Sequence, residues 1–234
     1  MPNNQYVCEV CGFNMIGYYP DNCPFCGASK ENFITAAECS EKYKLKTKEI
    51  THNVYQLTST PQLGLEHAAY MIQLEKEIIW IDCPSTFQKE VNNMNILLFT
   101  HHHFLAAANL YQEYFNSKLW IHEKDAFNSI STHYNFNKTF DFNFNYKEIK
   151  AYHIDGHTSG FTFYIFHDAL FICDYIFVKS DESLRFNPYG PREKTQKGAQ
   201  TMVEIIDKYS LSHVCGYNYT MSYDDWIKLF RKLI

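Results

Sequence analysis

Four cysteines in the first 26 residues, spaced Cys8-x2-Cys11-x11-Cys23-x2-Cys26 and followed by Gly27, constrain this chain of 234 residues more than any other feature. A segment of about 35 residues cannot bury enough apolar surface to fold on its core alone. Four thiolates in two tight knuckles can instead close one tetrahedral all-sulfur site, and soft thiolates select zinc or iron. In a reducing compartment such pairs bind metal more often than they join as disulfides. The N-terminal stretch MPNNQYVCEV has neither the basic nor the apolar part of a secretory leader. No apolar run approaches the ~18 residues of a membrane span, so the expected location is cytoplasmic, with no membrane partner.

Residues 38–49 (ECSEKYKLKTKE) are charged and nearly free of apolar periodicity. They suggest a linker at 37–49 between a small domain at 1–36 and a large one at 50–234. With 46% apolar and 17% aromatic residues the large part can bury a sizeable core, and disorder is excluded for most of the chain. Twenty-one Lys and Arg against 26 Asp and Glu give a net charge of 21 − 26 = −5, too acidic for a broad nucleic-acid-binding field. Residues 69–74 and 78–82 flank a charged turn and predict a hairpin, and NILLFT at 95–100 predicts a buried strand leading into a helix near 105–115. Further strands are expected at 118–122, 149–154, 161–166 and 169–173 and around Val214, with helices after Thr195 and at the C-terminus. Ser222 and Asp225 are spaced to cap the last one. Strands separated by helices favour an α/β layered domain.

His101, His102 and His103 follow NILLFT directly, where a buried strand leaves its sheet. In an extended segment residues i and i+2 point the same way, so His101 and His103 can share one ion while His102 points elsewhere. A second strand leads into His153-Ile154-Asp155-Gly156-His157, whose glycine permits a tight turn, and a third ends in Cys173-Asp174. Strand, turn and ligand thus recur three times in chain order.

Two resemblances follow from these motifs. The segment VCEVCGFNMIGYYPDNCPFCGASKENF resembles the rubredoxin-like domain appended to rubrerythrins, which implies one redox-active iron on Cys8, Cys11, Cys23 and Cys26; zinc ribbons use the same knuckles, so zinc is the alternative. FTHHHFLAA, HIDGHTSGFTFYIF, ALFICDYIF, HVCGYN and IIWIDCP resemble the successive motifs of the metallo-β-lactamase fold over about residues 50–234. That resemblance implies an αββα sandwich with a metal site at one edge. It assigns His101, His103 and His157 to one metal, and Asp174 to the carboxylate that usually bridges to a second. The family motif H-x-H-x-D-H finds Leu105 and Ala106 where it requires Asp and His, and the family's last His falls at or near Tyr217. The second metal's own ligands are therefore lost. Three His with Asp174 still suffice for one iron or zinc ion.

Together these features point to a non-heme iron redox protein. Its four-cysteine iron would exchange electrons with a mononuclear His/Asp site that binds dioxygen, nitric oxide or a small substrate. The resemblance to flavodiiron proteins is distant, since their carboxylate-rich two-iron motif is absent. The alternatives are a zinc-dependent hydrolase of the superfamily and a non-catalytic module with a vacant histidine site. Asp174, Tyr217 and His102 are the candidates to assist chemistry; His153, Cys173, Cys215, Asp82 and Cys83 lie beside motif positions and read as structural. The expected partners are a redox protein or a small molecule. A linker of a dozen residues could span ~40 Å, so a homodimer pairing one chain's cysteines with the other's histidines is as compatible with the sequence as an intramolecular arrangement.

Overall fold

A computed structural model describes residues 4–91 and 94–234, so the first three residues of the N-terminal stretch lie outside it. The cysteine-rich segment folds as a three-stranded antiparallel sheet of β1 (Gln5–Cys8), β2 (Asn14–Ile16) and β3 (Phe33–Thr35), in the order β2-β1-β3. Its core consists of Cys8, Cys11, Cys23, Met15 and Phe33, too few apolar groups to hold a fold without a crosslink.

The charged stretch expected to be a linker is ordered structure. Thr35 and Glu38 form a reciprocal capping box that starts α1 (Ala36–Lys42), and β4 (Lys44–Thr51) follows at once. Its lysines hid the strand, because β4 is a mostly exposed edge with no apolar face to alternate. Next in the chain come β5 (Val54–Thr60), β6 (Ala69–Gln73), β7 (Ile78–Ile81), β8 (Ile96–Leu98), α2 (Ala108–Phe115), β9 (Lys118–His122), α3 (Glu123–Ala126) and β10 (Lys138–Phe140). These strands form a seven-stranded sheet in the order β10-β9-β8-β7-β6-β5-β4.

A six-stranded sheet, ordered β11-β12-β13-β14-β17-β18, packs against it. Its members are β11 (Phe144–Tyr146), β12 (Ile149–His153), β13 (Thr162–Phe166), β14 (Ala169–Cys173), then, after the ribbon β15 (Ile176–Val178) and β16 (Leu184–Phe186) and helix α4 (Arg192–Ile206), β17 (His213–Gly216) and β18 (Thr220–Ser222). Helix α5 (Tyr223–Leu233) ends the chain, with Ser222 Oγ accepting from Asp225 N at its start.

Side-chain alternation sorts the residues into layers. Tyr70, Ile72, Ile79, Ile81 and Leu98 face Tyr164, Phe166, Ala169 and Phe171 between the sheets. Met71, Trp80, Leu97 and Leu119 turn to the other side, against α1 and α2. Phe163, Ile165, Leu170 and Ile172 face Met202 and Ile206 of α4 and Trp226 and Phe230 of α5. The result is the expected αββα sandwich. Among the described residues, no helix is long and apolar enough to cross a membrane.

The small domain is packed on the sandwich. Leu65 N donates to Val10 O at 2.8 Å, and Gly64 (φ 47°) passes so close to the first knuckle that a Cβ there would collide with the Val10 carbonyl. Asn14 Nδ2 donates to Ser85 O at 3.1 Å, and Tyr43 Oη, just beyond α1, donates to Glu9 at 2.7 Å. The aromatic-rich stretch 134–146 packs over the sheet edge, with Phe140 buried and Phe144 beside Trp120, although Phe142 is exposed.

Candidate metal centres

Among the described residues, two groups bring together ligands for an ion: Cys8, Cys11, Cys23 and Cys26, and His101, His103, His157 and Asp174. In the first, Cys8 Sγ lies 3.8 Å from Cys26 Sγ and Cys11 Sγ 3.7 Å from Cys23 Sγ. An ion held tetrahedrally at ~2.3 Å from each sulfur requires sulfur separations of ~3.8 Å, so the arrangement fits. The knuckle backbone prepares the thiolates: Val10 and Cys11 N–H donate to Cys8 Sγ, Phe13 N–H to Cys11 Sγ, and Phe25 and Cys26 N–H to Cys23 Sγ. Hydrogen bonding from Cys11 and Cys8 pulls the Cys23 thiol down, while the bonds to Cys23 and Cys8, with burial, push the Cys11 thiol up. Without a cation the sulfurs must share protons; an ion relieves that need. Cys26 is the exposed ligand of the four.

The second group sits where β8, β12 and β14 end, at one edge of the sandwich. His101 Nε2 is 3.5 Å from Asp174 Oδ1, His157 Nε2 is 3.3 Å from Asp174 Oδ2, and His103 Nδ1 is 3.1 Å from His157 Nε2. Metal bonds of ~2.0–2.1 Å in a tetrahedron require donor separations of ~3.3 Å. His101 Nε2 and Asp174 Oδ1 are both buried and have no hydrogen-bond partner. Such orphans cost about 1–3 kcal/mol each, and a cation between them removes the penalty. Zinc and ferrous iron both suit three imidazoles and a carboxylate.

Outer partners fix each ring. Thr100 Oγ1 lies 2.9 Å from His101 Nδ1 and donates to the Asp82 carboxylate, so it accepts from Nδ1–H and leaves His101 Nε2 free for an ion. Burial raises Asp82 to about 7. His157 Nδ1 donates to Tyr189 O at 2.6 Å, and Gly190 (φ 113°) lies against the His157 backbone, where a Cβ has no room. Asn187 Nδ2 donates to Asp174 Oδ2 at 2.8 Å and reaches within 3.3 Å of His157 Nε2. Burial, with the charges of neighbouring histidines, holds His101 far below the usual range and His103 down to about 2. Burial also acts against protonation of His157, but Asp174 and the Tyr189 carbonyl outweigh it and leave that ring raised.

The expected ligands thus come together, by a different route than a simple alternation. His101 is extended (φ −168°, ψ 179°), but His102–Phe104 form one turn of 3-10 helix, and the two imidazoles present different nitrogens. His102 is not in the group. Its Nδ1 pairs with Asp125 at 2.9 Å, and Asp125 also accepts from Thr158 Oγ1, which ties the His102 turn, α3 and the Thr158 loop together. Tyr217 presents its hydroxyl to Leu65 O and its ring to Phe104 and Phe177; burial, reinforced by Asp174 and Cys173, raises its phenol. The two positions after Phe104 offer no ligand: Leu105 is 1% exposed and apolar, and Ala106 bears no donor. His153 stacks on His122, Cys215 lies between the sheets, Cys173 bonds Asp82, and Cys83 Sγ donates to Pro84 O. Sequence reasoning missed Thr100, Asn187 and Phe25. Asn187 directly follows β16.

Residues 6–34 match the family model described as "Rubrerythrin, rubredoxin-like domain". No curated protein matches the chain significantly. Solved structures do. A metallo-β-lactamase from Pontibacter korlensis is 12% identical, with 80% of this chain and 99% of that one covered and a TM-score of 0.64. VMB-1 is 15% identical, with 81% of this chain and 94% of that one covered and a TM-score of 0.64. An archaeal metallo-β-lactamase superfamily protein from Sulfolobus tokodaii is 11% identical, covering 71% and 79% at a TM-score of 0.55. At these identities the likeness establishes the fold. The chain therefore joins a rubrerythrin-type rubredoxin-like domain to a metallo-β-lactamase fold carrying a reduced ligand set.

Proposed function

We propose that this protein is a two-centre redox metalloprotein in which iron on Cys8, Cys11, Cys23 and Cys26 exchanges one electron with a single iron on His101, His103, His157 and Asp174. One observation carries the reading. Phe25, between the ligands Cys23 and Cys26, lies edge-on to the ligand His103 with ring centroids 5.4 Å apart. The two candidate centres are therefore neighbours within one chain, and the reading needs no second copy. When bound, iron at the thiolates supplies one-electron chemistry, and iron at the imidazoles supplies coordination for a small acceptor such as dioxygen or nitric oxide.

The chain's own residues support this division. Thr100 and the Tyr189 carbonyl set the imidazole tautomers, Asn187 holds Asp174, and Phe104 and Phe161 pack on the His101 ring and keep water from it. A hydrolase reading lacks the group it needs, because Leu105 stands where a carboxylate would orient water and Asp174 already faces the three histidines. Among partners, a redox protein would meet the exposed ligand Cys26, and the eight unpaired cysteines favour the reducing cytoplasm.

Elemental analysis and visible absorption of anaerobically purified protein, wild type beside His103→Ala, test the proposal. About two iron per chain is expected, with thiolate-to-iron bands, one iron lost in the variant, and reoxidation of the thiolate bands by dioxygen slowed in it. Protein that holds only zinc after growth with iron overturns the reading. One metal per chain, unchanged in His103→Ala, leaves a binding module with a vacant histidine site.

A further inference from the structure

Beyond the pairing of centres, we infer that Phe25 of the small domain is the size filter of the His/Asp site, admitting ligands of two or three heavy atoms and excluding rings and larger substrates. The inference rests on the reading of His101, His103, His157 and Asp174 as a metal site, and holds whichever metal occupies it.

Walls close this site from every element packed on it. His101 is 0% exposed, Asp174 3% and His157 5%, while His103 alone is partly open. Phe104 and Phe161 stand against the His101 ring at 4.7 and 5.5 Å, and Asn187 and Tyr189 cover His157 and Asp174. The cavity that reaches His103 runs between the two domains. Its walls include Cys11, Phe25, His67, His103, Phe104 and Ala106, and it has room on the order of one water molecule.

Ala106, where the family motif has a ligand, and Gly12, which packs on Ser85 and Glu66, add no side chain that could fill this space. Phe25 is its movable wall. The ring is 41% exposed, stacks on Phe13 with centroids 6.1 Å apart and meets His103 edge-on. Its outward side is free, so a small tilt of the ring admits a linear anion or diatomic molecule to His103, whereas a planar ring must displace Phe25 altogether. In this protein the small domain thus stands where a bulky substrate would otherwise approach the histidines.

Zinc-loaded protein separates this inference from the redox reading, because zinc transfers no electron. Calorimetric titration with azide and with imidazole would be run on wild type, Phe25→Ala and Phe25→Leu, each first shown to hold two zinc per chain, with His103→Ala as the blank. Wild type is expected to bind azide and not imidazole. Phe25→Ala should gain imidazole binding by tenfold or more with azide little changed, and Phe25→Leu should fall between. Imidazole binding to wild type as tightly as to Phe25→Ala overturns the filter, as does Phe25→Ala that still refuses imidazole. Histidines that take up neither zinc nor iron in wild type overturn both readings, whereas selectivity that holds in a protein without iron chemistry overturns the redox reading alone.

Discussion

The four-cysteine centre and the His/Asp centre are both four-ligand pockets, yet they are built in opposite ways. The first draws its ligands from 19 consecutive residues, Cys8 to Cys26, and five backbone N–H groups of the same knuckles point at its sulfurs. The second collects His101, His103, His157 and Asp174 from three strand ends and depends on Thr100, Asn187 and Tyr189 to aim them. A local site needs its metal in order to fold. A site assembled by a large core should keep its shape without one.

The sharpest break of this contrast is Cys11→Ser. Loss of metal from the small domain should remove on the order of 10 kcal/mol of metal-linked folding free energy and unfold residues 4–35, while the sandwich stays folded. Circular dichroism with metal analysis reads both. His103→Ala should do the reverse: the histidine-bound ion is lost, but the thermal midpoint of the metal-free protein moves little. If His103→Ala unfolds the sandwich, the contrast fails.

Acidification of metal-free protein should act on the sandwich through buried histidines that hold no ion. Burial lowers His67 to about 3, with Nε2 held by Cys83 O and the ring stacked on Phe104. Because the unfolded state takes up that proton near pH 6.5 and the folded state does not, stability falls with pH between about 6.5 and 3, by ~1.4 kcal/mol per unit for this group. His67→Phe should flatten the slope in acid denaturation by that amount.

Smaller effects sharpen the comparison. Asn187→Ala should weaken metal binding at the histidines about 10–100-fold and leave the four-cysteine metal untouched, as competition with a chelator would show. Tyr217→Phe should cost about 1 kcal/mol through the lost bond to Leu65 O without changing metal content, which would assign Tyr217 to holding the loop at Leu65 rather than to the ion. A lost metal in Tyr217→Phe would put it back beside the ion.

How far the sequence reached differs along the chain in the same way. Strands such as β6, β7, β13 and β14 were legible because two buried faces demand continuous apolar runs. Strand β4 was not, since an exposed edge with lysines carries no such pattern, and helix α4 starts three residues before the Thr195 expected to open it, at Arg192 after Pro191. Nothing local to Asn187 announces that it reaches Asp174, because that contact depends on where the ribbon β15–β16 returns the chain.

The sequence by itself determined the four-cysteine centre, its tetrahedral chemistry and the histidine and aspartate positions, because ligand type and short spacing are local properties. The tertiary structure alone decided that His102 turns to Asp125, that Tyr217 bonds Leu65, and that Phe25 rests on His103. Those contacts join residues tens to more than a hundred positions apart, and only packing of the small domain on the sandwich, through Leu65 on Val10 and Asn14 on Ser85, brings the two centres together.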